Sequence, residues 1–412
     1  MPRRYIGLLL LLGFLLILPP GLAAEDWPQW RGIQRTGISP ETGLLKSWPK
    51  EGPKLLWQIK DAGTGYSGPA IVGDQLYTLG LRGETEFVLC YSLKDQKEVW
   101  KFANGSAYRN SFGDGPRSTP TVNGDRLYAL GANGDLCCLE TATGKQIWKK
   151  NILQEFEGQN ITWGISESPL VEGELVIVTP GGTKATMVAY DKNSGIVRWT
   201  SKDPESGVEP AGYASPIAYT VDGERQIATL TSKGAFGVRA RDGHFLWRYN
   251  KVANDTANIA TPIYHEGQIF YTSDYGTGCA LLALKAGSAA KEVYFNRNMK
   301  NHHGGVVLIN GVTYGFNSNQ LTCLEWGTGK RLWQDRSVGK GSICYADGML
   351  YLLSEQGVVG LAVASPQGYR EVSRFELPHR SDRPSWTHPV ISGGKLYLRD
   401  QQNLYCYDVR GQ

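Results

Sequence analysis

The 412-residue chain has little net charge: 43 Lys+Arg face 39 Asp+Glu, which leaves +4 at pH 7. That balance supplies no field for nucleic acid or an anionic membrane surface. No basic cluster interleaved with aromatics answers to an RNA-binding pattern. Helix-length amphipathic periodicity is missing from residue 60 to residue 410, and no linker divides that stretch. A Cys-x-x-Cys-His sequence is also missing, so no covalent c-type haem is implied. No cysteine follows the apolar run at the start of the chain until Cys90, so a lipid anchor on a cleavage-site cysteine is not expected.

The cysteines number seven, an odd count for a disulfide framework. Cys90, Cys138 and Cys323 each lie ten residues before a tryptophan, and Ala189 fills that place before Trp199. Cys406 sits in Tyr405-Cys406-Tyr407-Asp408 as Ala189 sits in Val188-Ala189-Tyr190-Asp191. A slot filled by Cys or Ala reads as a small buried hydrophobe, so free thiols are expected. Cys137 and Cys138 adjoin within a strand, where neighbouring side chains face opposite ways, and a vicinal disulfide is not expected.

What the chain does have is repetition. Ser118 to Trp148 holds four short β-rich runs separated by Asn123-Gly124-Asp125, Ala132-Asn133-Gly134 and Ala142-Thr143-Gly144. Such punctuation describes a small antiparallel meander. The pattern returns along the chain, with a closing aromatic at Trp57, Trp100, Trp148, Trp199, Trp247, Phe295, Trp333 and Phe375, at intervals of 38 to 51 residues. Periods of that size signal stacked repeats or propellers. The segment after Phe375 offers three runs and no fourth, whereas Leu55-Leu56-Trp57-Gln58-Ile59 is a fourth run with no first three. Joined, they give an all-β, eight-bladed β-propeller closed by an N-terminal strand, which removes the open edges of the ring. Trp57, Trp100, Trp148, Trp199, Trp247 and Trp333 are assigned structural docking roles.

The copies Val188-Ala189-Tyr190-Asp191-Lys192-Asn193-Ser194-Gly195-Ile196-Val197-Arg198-Trp199 and Leu139 to Trp148 resemble the tryptophan-docking motif of the PQQ-like, or quinoprotein-like, β-propellers. That group includes quinoprotein dehydrogenases and the propeller factor of bacterial outer-membrane protein assembly. The resemblance covers about residues 55–410, and Trp27-Pro28-Gln29-Trp30-Arg31-Gly32 resembles the start of exported bacterial PQQ-like repeat proteins. It implies the fold, but one fold hosts many functions. The assembly factor is a lipoprotein, so the missing cleavage-site cysteine is a departure from it.

The domain expectation has three parts. Residues 1–24 carry Arg3-Arg4, an apolar run from Ile6 to Leu18 and Leu22-Ala23-Ala24, the pattern of a secretory signal peptide. Residues 25–54, with Trp27, Trp30 and Trp48, are expected to pack as an arm along the propeller surface. Residues 55–412 form the propeller. The protein is expected to be exported, periplasmic or secreted, monomeric, and without a membrane span once the signal is removed.

Residues just ahead of each innermost strand ring the central channel of a propeller. Here they are Tyr66, Arg117, Glu167, Tyr213, Asn258, His302, His303, Lys340, Trp386 and His388, a mixed polar and aromatic funnel. The funnel is expected to bind a protein partner or small ligand in the cell envelope. No catalytic set stands out, since Ser-Pro and Thr-Pro recur by architecture. No metal is assigned, although a closed ring could bring His302, His303 and His388 onto one face. No cofactor is expected. The alternative is a quinoprotein oxidoreductase using PQQ and Ca²⁺, an ion that takes carboxylate and amide oxygens. The resemblance implies such ligands in the dehydrogenases, but none maps onto this chain residue by residue.

Overall fold

The computed structural model describes residues 26–411, so the expected signal peptide lies outside the described residues. The described chain forms eight four-stranded antiparallel sheets. Seven are consecutive in sequence, at 70–106, 121–151, 170–201, 217–249, 263–296, 306–335 and 341–376. The eighth takes Val390–Ser392, Lys395–Asp400 and Asn403–Asp408 from the C-terminal end and Lys54–Ile59 from the N-terminal side. Lys54 pairs with Asp408, Trp57 with Cys406 and Ile59 with Leu404, with a bulge between Leu55 and Trp57. A single short helix, Ile152–Phe156, interrupts the described sheets; Asn151 caps it by accepting from Gln154 N.

The core lies between blades. Each apolar cluster joins neighbouring sheets, as Trp100 and Val88 of the first blade join Leu127 and Cys137 of the second. The cysteines fill these layers as free, buried thiols. Burial pushes the Cys90 and Cys138 thiols up to about 12, so they stay protonated and unreactive at neutral pH.

The repeat tryptophans pin one blade to the next. Trp100 Nε1 donates to Thr141 O at 2.9 Å, Trp148 to Lys192 O at 3.0 Å, Trp199 to Ala240 O at 3.0 Å and Trp333 to Ser365 O at 2.8 Å. The glycine after each of the first three acceptor turns is required. A Cβ on Gly144 would lie 2.6 Å from the Trp100 ring, on Gly195 2.8 Å from Trp148 and on Gly243 2.4 Å from Trp199. Trp247 is buried without such an acceptor, and Trp57 is half-buried against Tyr397 at 6.0 Å between ring centroids.

Two docking aromatics differ from expectation. In each of these blades the fourth strand carries a bulge just after the docking residue's pair: Cys138 pairs with Trp148 before the shift. In the fifth blade that register falls on Tyr294, not Phe295, since Leu281 pairs with Tyr294 before the shift. Tyr294 OH donates to Trp326 O at 3.1 Å. In the seventh blade the register falls on Ser373, two residues before Phe375. The missing ring comes from the arm. Trp48 lies 5.9 Å from Tyr351, as Trp148 lies 6.0 Å from Tyr128, and Trp48 N donates to Ser373 Oγ at 2.7 Å. Trp199→Ala is expected to cost about 3–5 kcal/mol, and Trp48→Ala the same although it lies outside the repeats. Urea unfolding measures both; a Trp48→Ala protein as stable as the parent would contradict this assignment.

The arm, expected to pack along the propeller surface, begins inside the ring. Residues 26–41 enter the central channel and touch every blade. Trp27 exchanges backbone hydrogen bonds with Ile71 of the first blade, and Pro28 O accepts from Val122 N of the second. The Arg35 guanidinium donates to Ser168 O, Pro169 O and Pro216 O of the third and fourth blades. Trp30 Nε1 meets Thr261 Oγ1 ahead of the fifth, and Arg31 meets Val306 O of the sixth. Ser39 N donates to Tyr345 O of the seventh, and Glu41 accepts from Gly393 N and Gly394 N of the eighth. A guanidinium suits this place because one side chain supplies five donors in a fixed fork. Asp26 and Glu41 both sit at turns between first and second strands, so the plug enters and leaves by one end of the channel. Past Leu44 and Trp48 the chain crosses to its place as the closing strand.

Candidate functional site

The plug leaves the opposite end of the channel as a blind funnel of about 550 Å³. Trp30 is part of its floor. Seven of the ten expected funnel residues line it: Tyr66, Arg117, Tyr213, His302, His303, Lys340 and Trp386. The other three lie behind the wall, which corrects the sequence reading. Glu167 is 2% exposed and accepts from Thr179 N. Asn258 is 1% exposed and staples its own loop, donating to Asn254 O and Ser232 O. His388 lies against Trp30, 4.4 Å between ring centroids, and its Nε2 donates to His303 O at 2.8 Å.

Part of the wall is aromatic. Tyr66 and Trp386 meet at 4.6 Å, Tyr66 OH donates to Phe112 O at 3.0 Å, and Phe112, Trp163 and Tyr213 continue as a chain of ring contacts. Arg117 does not offer its fork to the cavity. It lies between the rings of Tyr66 and Tyr108, 5.2 and 5.1 Å from their centroids, and donates to Gly115 O and Gly113 O. Its charge folds the loop that carries Phe112.

The polar wall centres on Glu355, which the sequence reading missed together with Phe112, Trp163 and Tyr275. Glu355 and Tyr275 follow the second strand of their blades, not the start of the first. Phe112 and Trp163 belong to the long links between blades. Position immediately ahead of a first strand picks out none of the four; the turn after the second strand was the available signal for Glu355 and Tyr275, and the length of the link for Phe112 and Trp163. Glu355 Oε1 receives Trp386 Nε1 at 2.9 Å, His303 Nε2 at 3.0 Å and Lys340 Nζ at 3.3 Å. Burial works against its ionisation, but these donors outweigh burial and hold the carboxyl low, at about 2. Burial lowers the His303 pKa, against the pull of Glu355. Facing a carboxylate, which only accepts, its Nε2 donates. Burial and the nearby His303 and Lys340 push His302 down to about 3. Its Nε2 lies 2.9 Å from Tyr275 OH.

These donors do not fit a Ca²⁺-bound quinone. Among the described residues lining the cavity, Glu355 alone carries a carboxylate, and an ammonium stands beside it. Ca²⁺ takes six to eight oxygens, and imidazole nitrogens do not replace them.

Two buried carboxyls tie the plug and a funnel loop to pH. Burial pushes Glu167, behind the wall near Arg35, up to about 7. Burial pushes Glu86, which accepts from Ala132 N, up to about 7 as well. Between an unfolded value of 4.5 and about 7 the folded chain binds more protons than the unfolded one, so stability falls as pH rises through that window. Glu167→Gln and Glu86→Gln are each expected to shrink the drop in melting temperature across it. Melts at both ends of the window check this; an unchanged drop contradicts it.

Residues 84–335 match the family model described as outer membrane protein assembly factor BamB. The chain is 24% identical to the BamB of Yersinia pestis over 325 residues, covering 74% of this chain and 76% of that one. In structure it is similar to the quinohemoprotein alcohol dehydrogenase of Comamonas testosteroni, with a TM-score of 0.67 at 14% identity, covering 95% of this chain and 82% of that one. It is similar also to BamB of Moraxella catarrhalis, with a TM-score of 0.61 at 14% identity, covering 86% of this chain and 99% of that one.

Proposed function

The chain belongs to the family of the outer membrane protein assembly factor BamB, and from that premise we propose that it is a non-catalytic propeller scaffold, exported to the cell envelope, whose funnel face binds a protein partner or small ligand. No helix among the described residues is long and apolar enough to cross a membrane. The observation that carries the reading is the blind aromatic cavity. A concave site of this size, apolar with a few fixed polar groups, is the usual form of a binding pocket. Buried Trp and Tyr at the centre of a contact supply most of its energy. Glu355, His303 and Lys340 are tied to one another, an arrangement that orients a partner.

The experiment is recovery of a partner from native envelope extract by three proteins. Parent and Val99→Ser, altered on an exposed outer strand, are expected to recover the same partner. The Trp163→Ser, Trp386→Ser double variant is expected to lose it while keeping its fold. Equal recovery by all three would sink the reading.

The alternative, a PQQ- and Ca²⁺-dependent oxidoreductase, draws on fold likeness, and the funnel's donor set does not support it. Calorimetry with PQQ and Ca²⁺ is expected to show no stoichiometric binding, and no dye is expected to be reduced with alcohols or sugars. A one-to-one isotherm would reverse the preference.

A further inference from the structure

His302 and His303 stand side by side ahead of Val306–Ile309, and Glu355 reaches them from the turn after Met349–Ser354. One ligand atom from each of the three lies within 4.8 Å of the other two. The His303 side chain is 9% exposed, and its Nε2 is the nitrogen that faces Glu355 Oε1, where an ion would replace the shared proton; the Nδ1 of His302 is buried and unpartnered. A buried polar atom left without a partner costs about 1–3 kcal/mol, and an ion is one way to satisfy it. Around the cluster, other groups fix the rings. Tyr275 OH holds His302 Nε2, and His388 Nε2 holds the His303 carbonyl. Such outer contacts orient histidines that bind metals. The protein donors to Glu355 all meet Oε1, so Oε2 takes none of them.

We propose that His302, His303 and Glu355 bind one divalent transition ion of the Zn²⁺ class, with its remaining positions open to the funnel. Two imidazoles and one carboxylate suit an ion of borderline hardness and leave positions for water or a ligand. Lys340 opposes the ion, with Nζ 3.3 Å from Glu355 Oε1. Its side chain is 30% exposed and has the funnel to move into. Lys340 thus competes for the carboxylate and sets the affinity. The site goes beyond partner binding, and its readout is independent of any partner.

The test uses the exported chain without a histidine tag, titrated with Co²⁺ and followed by visible absorption, then challenged with Zn²⁺. One Co²⁺ per chain is expected, with a d–d band that Zn²⁺ abolishes. His302→Ala is expected to weaken binding by about 100-fold or more, beyond the 10- to 100-fold of groups that only orient a ligand. Lys340→Met is expected to tighten it by about tenfold or more, since a like charge beside the ion and a competitor for the carboxylate are both removed. His302 lies at the half-buried rim, so its replacement is expected to keep the fold. The isosteric Glu355→Gln repeats the test on a different ligand. Absence of saturable one-to-one binding, or binding unchanged by His302→Ala and Glu355→Gln, overturns the proposal.

Discussion

A chain that starts at Lys54 is expected to emerge insoluble, or to melt roughly 15 °C or more below one that starts at Asp26. This deletion keeps the closing strand Lys54–Ile59, so it isolates the plug from ring closure. Trp27, Leu44 and Trp48, all buried, leave the cluster that joins the seventh, eighth and first blades. Each buried Trp is worth about 3–5 kcal/mol by truncation. The carbonyls of Ser168, Pro169, Pro216 and Val306 lose their guanidinium donors as well. Water entering the open channel offsets part of that loss but none of the apolar part. Domains are stable by only about 5–15 kcal/mol, so the sum consumes most of the margin. Expression of both chains followed by a thermal melt checks this. A truncated chain that stays soluble and melts with the longer one would show that the arm is an accessory.

Arg399→Met is expected to cost about 3–5 kcal/mol, more than any arginine change at the surface, because it opens the seam where the chain ends meet. Arg399 is 1% exposed and spans the eighth and first blades. Its Nη1 donates to Ser67 O at 2.7 Å, Thr78 Oγ1 at 2.6 Å and Leu79 O at 2.8 Å, its Nη2 to Gly63 O at 2.8 Å and its Nε to Gln401 O at 2.8 Å. Burial lowers its pKa to about 10, which still leaves it charged at neutral pH. Methionine fills part of the space and strands these buried acceptors. Arg399→Lys is expected to recover little, since an ammonium carries three donors on one atom and cannot span two blades. Chemical denaturation of Arg399→Met beside the exposed control Arg241→Met reads the difference. Equal midpoints would remove the seam from the account.

The repeat was legible because its signals are local. Each Trp has its acceptor turn about 32 to 44 residues on in the four pairs with an indole hydrogen bond, and in the first three the glycine its ring requires stands close by. The two ends each lacked what the other had, so blade count and closure followed. The docking register falls one residue before Phe295, on Tyr294, and two before Phe375, on Ser373; a count of intervals between aromatics does not see where strand pairing sets it. The path of the arm was not legible at all. Arg31 and Arg35 bind mostly backbone carbonyls, which every residue owns, so no side-chain pattern marks their partners. In the funnel, position ahead of a first strand was neither necessary nor sufficient. The chain dips behind the wall at Glu167, Asn258 and His388, while Glu355 enters from a turn that the same rule ignores.

The account stands on residues 26–41 sealing the channel and turning its mouth into a blind pocket. Hydrogen exchange of the folded protein, read by mass spectrometry over peptides from this segment, tests that most directly. The account predicts that the amides of Trp27 and Ser39, bonded to Ile71 O and Tyr345 O, exchange as slowly as those of the innermost strands. Exchange of this segment within seconds, while the strands stay protected, would contradict it.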